Sequence, residues 1–454
     1  MRVRELCASA ARAVLGAACC CVASAACAPG IASDDDIPET LPFDPAATPP
    51  LLPQPTNIVV NPSTGRIDFS LAGVDVPEDC AAAQSMSQAQ CEFYKYLGAL
   101  DGFPTDMAAT APVTAPVQTS SLQQLGNVVV VNAALGAQLT DLQLSYDDTT
   151  RQIAVGAKQG WDVGSSYFVG VRGYANGIRS TEGRKFVSSV PYVLFKLNES
   201  LTCGAKTASE LDPRCPYAQL LASPQTDSAQ LFRDLSDLES IRQLYGPTLH
   251  LWDTLAQVAK LPMDEVASAW AFPTHSGSVI ELNPGLGRIP RVVGTSTLEL
   301  DFKGSVDDSK LTPFSFSTKG TVFLLDLTAL EKNDFDKGVP AFTVERTGGV
   351  IALKTAAPMV NGDLYGIIVT DGVTNAQGLP FVAPPMAVLL RSRGSLVDSA
   401  GHSTVEGVAD ADAAQLEAGR LDLKALLDDP LFVQLTNLKR ENIAYVYAFS
   451  FPNP

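Results

Sequence analysis

The chain repeats itself, and that constrains its fold more than any other feature. Gln152-Ile153-Ala154-Val155 and the following Tyr167-Phe168-Val169-Gly170-Val171 match Val350-Ile351-Ala352-Leu353 and Tyr365-Gly366-Ile367-Ile368-Val369 at an offset of 198 residues without a gap. Gly164 falls on Gly362, and Tyr167 on Tyr365. Upstream, Val128 to Val131 matches Val322 to Leu325, and downstream Val193-Leu194-Phe195 matches Val388-Leu389-Leu390. The last strand repeats as well: Val266, Ser268, Trp270 and Phe272 alternate as Ile443, Tyr445, Tyr447 and Phe449 do. Two copies of one domain are therefore expected, over 105–281 and 290–454.

Each copy reads as mainly strands. Tyr167, Val169 and Val171 alternate on one face, and Asp147-Asp148, Asn176-Gly177, Gly348-Gly349 and Asn361-Gly362 mark turns between strands. The expected fold class is mainly β: two tandem antiparallel sandwiches, each with a helical insertion before its last strand. In the first insertion Leu231, Leu235, Leu238, Ile241 and Tyr245 keep helical spacing, with Ser236 and Glu239 as a local cap. In the second, Leu416, Leu423, Leu426 and Leu427 precede Asp429-Pro430, followed by Leu431, Leu435 and Leu438. Such stripes are expected to cover the domain's own sheet.

The first residues read as an export signal over 1–26. Arg2, Arg4 and Arg12 precede an uncharged run from Ala13 to Ala26. Ser24-Ala25-Ala26-Cys27 is a lipobox-like site with Ser where Leu is usual, which makes Cys27 the expected lipidation residue; cleavage after Ala25 or Ala28 is the alternative. Residues 27–41, carrying Asp34-Asp35-Asp36, are too small and acidic to build a core and read as a tether. Residues 42–104 form a lead segment expected to pack on the first domain. Five of the nine cysteines belong to the export region, leaving Cys80, Cys91, Cys203 and Cys215. An even number in an exported chain implies disulfides, and the economical pairing is local, Cys80–Cys91 and Cys203–Cys215. No CxxC spacing or nearby histidine favours the zinc alternative.

Leu41-Pro42-Phe43-Asp44-Pro45, Pro53-Gln54-Pro55-Thr56-Asn57 and Tyr96-Leu97-Gly98-Ala99-Leu100-Asp101-Gly102-Phe103-Pro104-Thr105 resemble segments of a bacterial surface-lipoprotein group. That group includes the immunoglobulin-like N-terminal region of secreted virulence-type lipases. The resemblance implies tandem immunoglobulin-like domains at the cell surface; together with the lipobox-like Cys27, the expected location is the cell envelope, on an outer-membrane lipid anchor. In the lipases an α/β-hydrolase domain follows; here it is expected to be missing.

Few residues carry chemistry. The three histidines are His250, His275 and His402. The nearest approach to a hydrolase elbow, Gly401-His402-Ser403-Thr404-Val405, lacks the final glycine and has no βαβ context, so it reads as a polar loop. His275-Ser276-Gly277 reads as a turn. Asp147-Asp148 and Asp307-Asp308 suit turn capping, and Glu331 to Gly338 lacks calcium-loop spacing. Trp161 aligns with Met359, which favours core packing over a sugar platform. No phosphate loop or dinucleotide fingerprint is found. The composition, 46% apolar and 18% charged, is globular; a net charge of −17 argues against nucleic acid and anionic lipid surfaces. The expectation is a noncatalytic envelope lipoprotein without a cofactor, acting as a binding, adhesion or structural module towards a protein or glycan. An accessory part or remnant of a secreted esterase or lipase is the alternative.

Overall fold

The computed structural model describes residues 37–43, 51–72, 74–221, 227–280 and 291–451. Residues 1–26, expected to be an export signal, Cys27 and Asp34–Asp36 lie outside them. The described residues form 17 strands and ten α-helices, and no described helix is long and apolar enough to cross a membrane.

In the first copy, Val128–Asn132, Ser166–Arg172 and Val266–Pro273 pair antiparallel in that order, with Ala137–Gln138 added at one edge. A second sheet runs Ala109–Pro112, Gln152–Ala157, Leu142–Asp147. Ala109, Ala111, Ile153 and Val155 of this sheet share one core with Val128, Val130, Tyr167, Val169, Val171, Trp270 and Phe272 of the other. Burying the apolar face of each sheet against the other is the main driving force for such a pairing. Val128 to Val131 are all buried, so this strand shows no alternation. Its second face is covered too: Val129, Val131, Phe168, Ala269 and Ala271 pack under Tyr245, Leu249 and Trp252 of the helix Ser228–Ala259. The approach is close enough that a Cβ at Gly170 would run into the Trp252 ring.

The second copy repeats the order of the six main strands, without a counterpart of Ala137–Gln138 among the described residues and with Val279–Ile280 and Arg291–Val293 added beside Thr297–Lys303. Val322–Asp326, Leu364–Thr370 and Ile443–Ser450 form one sheet, and Thr297–Lys303, Val350–Thr355 and Phe342–Thr347 the other. The register is also kept. Val128 opposes Val171 and Asn132 opposes Tyr167, as Val322 opposes Val369 and Asp326 opposes Tyr365. The Tyr167 hydroxyl accepts the Asp162 N–H at 2.8 Å, and the Tyr365 hydroxyl accepts the Val360 N–H at 2.9 Å. Beyond these strands, Gly173 N–H donates to Glu265 O at 2.9 Å and Asp371 N–H to Asn442 O at 2.8 Å. Here the outer face, with Phe323, Leu325, Ile368, Ile443 and Val446, packs with Leu427 and Phe432 of the helices Asp410–Leu427 and Pro430–Thr436.

The inserted helices are fastened to the sandwich by the same polar device in both copies. Glu239 and Arg242 pair through two hydrogen bonds of 2.7 and 2.8 Å; Glu417 and Arg420 do so at 2.6 and 2.7 Å. Each glutamate also accepts a backbone N–H at 2.9 Å, from Leu201 and Leu396, which lie 195 residues apart. Each arginine donates to carbonyls just past a short helix. Arg242 reaches Leu197 O at 3.0 Å, behind Val190–Phe195. Arg420 reaches Ser392 O at 3.3 Å, behind Pro385–Leu390. Free C-terminal carbonyls of a helix need such donors. Burial works against ionisation of Glu239, yet Arg242, the Leu201 N–H and Gln243 together hold it down at about 2.

Several boundaries differ from expectation. Glu39–Leu41, assigned to the tether, forms a parallel strand with Phe186–Ser188. The lead segment packs on both copies, not on the first alone. Its helix Gln88–Gly98 places Ala89, Phe93 and Leu97 in one cluster with Ala387, Val388 and Leu389 of the second copy. Glu92 accepts from Ser392 Oγ at 2.8 Å and from Arg393 N–H at 2.9 Å, and Ser87 Oγ donates to Thr404 O at 2.8 Å. Val279–Ile280, given to the first domain, pairs with Phe302 and Lys303 in a sheet of the second. The first inserted helix is capped by Asp227, which accepts from Gln230 N–H at 2.6 Å; Ser236 lies inside that helix and donates to Phe232 O.

Candidate functional site

The four body cysteines are joined as two local disulfides, Cys80–Cys91 and Cys203–Cys215, with Cα separations of 5.4 and 6.0 Å. The second closes the loop that follows Leu201, the backbone partner of Glu239. In the second copy the residues 195 positions further on are Asp398 and Asp410. They are bridged through His402, whose N–H donates to Asp398 Oδ1 at 2.9 Å and whose Nδ1 lies 3.0 Å from Asp410 Oδ2. Asp410 raises the His402 pKa above its ordinary value, through the hydrogen bond first and its charge second. Ser403 takes no part in a catalytic arrangement with His402. Its hydroxyl donates to Val405 O at 3.0 Å, and its N–H donates to Asp410 Oδ1 at 2.7 Å. The Gly401-His402-Ser403 segment thus closes a loop where the first copy uses a covalent bond.

Most of the remaining sequence candidates have structural partners; the exceptions are His275 and the Trp270 Nε1. Trp161 is 1% exposed, packs on Tyr167 and Phe272, and donates from Nε1 to Met107 O at 2.6 Å. Trp252 and Trp270 are buried. Asp147 accepts from Thr149 N–H, and Asp307 from Ser309 N–H. Asp308 pairs with Arg346 at 2.5 and 3.1 Å. Asp334 caps the short helix Phe335–Gly338 and pairs with Lys337. Among the described residues, no group of three or more His, Cys, Asp or Glu is placed to hold a metal ion. His275 lies at the junction between the copies and is 0% exposed, and neither ring nitrogen has a hydrogen-bond partner of good geometry among the described residues. Burial drives its pKa down to about 4, against the opposing charge of Asp101 and the nearby Gly277 backbone.

A concave site with a volume of about 340 Å³ lies in the second copy between residues 312–318 and 339–342. A larger one, of about 600 Å³, lies at an end of the first sandwich. That lies within the range of small-ligand pockets, roughly 300–1,000 Å³. Two loops build it. Gln118, Ser120, Ser121 and Gln124 come from the connection between Ala109–Pro112 and Val128–Asn132. Arg172, Asn176 and Arg179 come from the end of Ser166–Arg172 and the turn beyond it. The loops are tied together: Gln118 N–H donates to Arg179 O at 2.8 Å, and Arg179 N–H donates to Ser121 Oγ at 2.9 Å. Arg172 pairs with Glu265 at 3.0 Å, and Asn176 donates to the same carboxylate at 3.2 Å. Arg179 donates to the Ala175 carbonyl and has no carboxylate partner among the described residues. Sequence reading singled out Asn176-Gly177 as a turn but neither arginine, because nothing in the spacing of 172 and 179 shows that a second loop faces them. Arg172 aligns with Thr370 at the 198-residue offset, so the second copy lacks this cation.

No family model matches the chain, and no curated protein matches it either.

Proposed function

We propose that the chain is a noncatalytic binding module of the bacterial cell envelope, built of two immunoglobulin-like sandwiches and anchored through a lipid on Cys27. The strand order supports the fold assignment. Ala109–Pro112, Gln152–Ala157 and Leu142–Asp147 fall in the order B–E–D, and Val266–Pro273, Ser166–Arg172 and Val128–Asn132 in the order G–F–C. Tyr167 and Tyr365, near the start of strand F, bond back to the backbone five residues upstream, in the manner of a tyrosine corner. Two disulfides fit an oxidising compartment outside the cytoplasm.

The observation that carries the binding role is the cleft between the B–C and F–G loops of the first copy. Those loops share one end of such a sandwich, the end at which antibody variable domains bind their ligands. The test is cross-linking on intact cells, followed by recovery of the native protein and mass spectrometry. A stoichiometric protein or glycan partner is expected, lost when the two loops are replaced by glycine-serine segments. Recovery of the protein alone would contradict the proposal, as would ester hydrolysis abolished by Ser403→Ala.

A further inference from the structure

We propose that the cleft between these loops binds an acidic saccharide, Arg179 taking the sugar carboxylate and Gln118, Gln124 and Ser120 taking hydroxyls. This rests on the binding-module reading and adds the class of ligand. The first reason is charge. The chain carries a net charge of −17, yet the charged groups at this cleft are Arg172, Arg179 and the Glu265 paired with Arg172, leaving one cation in excess. That cation is the one without a carboxylate among the described residues. A guanidinium has five N–H donors in a planar fork, and Arg179 commits one side of it to the Ala175 carbonyl. The rest of the fork matches a carboxylate.

The second reason is the lining. It contains no apolar side chain larger than that of Ala175. A peptide or lipid anchor draws its affinity from apolar burial, and this site offers none. Side-chain amides, a hydroxyl and guanidinium groups instead match the hydroxyls and carboxylate of a uronic acid. A polyphosphate would be opposed by the field of the whole chain, whereas one carboxylate per ring costs less. The third reason is preorganisation. Arg179 is held from both sides of its backbone, by Gln118 N–H and Ser121 Oγ, so ligand need not order the loop.

The experiment titrates the full chain, purified in detergent, with oligogalacturonate and with its uncharged methyl ester, using calorimetry. The acid is expected to bind at least ~10-fold more tightly than the ester, the value of one charge-assisted pair. Arg179→Gln should lose about that factor for the acid alone, Arg179→Lys should lose less, and added salt should weaken the wild type. Unchanged thermal midpoints would show that the variants fold. Equal affinity for acid and ester, indifference to Arg179→Gln, or no binding of either sugar would overturn the proposal. In that event a partner still captured on intact cells would leave the binding-module reading standing. Failure of both would remove it too.

Discussion

The two copies share a frame but finish it differently. Both bury the same sheet twice, once in the sandwich and once under an inserted helix. Both fasten that helix by a Glu-x-x-Arg pair to the backbone behind a short helix. The loop after this fastening is then closed by Cys203–Cys215 in one copy and by the Asp398–His402–Asp410 contacts in the other. The short helices also dock differently. Tyr192 and Phe195 of the first pack with Phe43 and Tyr245, whereas Ala387, Val388 and Leu389 of the second join the lead helix. What is kept is therefore structural to the domain. What varies is the local tie, the neighbour and the loop-end cleft.

This comparison predicts equal damage from equal cuts. Glu417→Gln leaves the guanidinium of Arg420, which is 3% exposed, without its counter-charge. Removing one partner of a buried pair costs about 3–5 kcal/mol, and Glu239→Gln should cost a similar amount. Urea unfolding of both variants checks this; a large loss in one copy and none in the other would break the equivalence.

The next effect depends on pH and belongs to the junction. The His275 pKa falls to about 4 in the folded chain, from an ordinary 6.5. Its stabilising contribution is complete above the unfolded value and is lost as pH falls from there through about 4, because the unfolded chain binds the proton first. The loss amounts to ~3 kcal/mol at the rate of 1.36 kcal/mol per pKa unit. His275→Met should flatten that part of a stability-against-pH curve. His402 has the opposite sign: its raised pKa makes the Asp410 contact strongest below 6.5, and the benefit is lost as pH rises through the folded value.

The ties come next. Cys203→Ser/Cys215→Ser should cost about 3 kcal/mol, the chain-entropy value for a loop near this length. His402→Ala should cost less, since the His402–Asp410 pair is exposed and such pairs contribute little. Thermal midpoints of the two variants, measured under one set of conditions, give the ranking; a larger loss for His402→Ala would reverse it.

How much was legible in the sequence follows the same division. Alternation in Tyr167 to Val171 and in Ile443 to Phe449 marks the strands because one face of each must be apolar. The 198-residue offset survives because core positions tolerate few changes. The Glu-x-x-Arg pairs were not legible, since the same spacing on a solvated helix makes an ordinary surface pair. Only burial and the Leu201 and Leu396 amides separate the two cases. The second contact of the lead helix was missed because apolar spacing reports a buried face, not its partner. The cleft was missed because its walls are loops, where no periodicity exists. Asp398 and Asp410 could have been found: they stand at the same separation as Cys203 and Cys215, which only an alignment through Leu201 and Leu396 reveals.

That last equivalence offers the most direct test of the repeat. The variant Asp398→Cys/Asp410→Cys is produced by export, and its peptides are mapped by mass spectrometry without reduction. Position-for-position equivalence of the copies predicts a third disulfide, joining the two introduced cysteines, in a chain that retains Cys80–Cys91 and Cys203–Cys215. A folded chain with both introduced thiols free would contradict it.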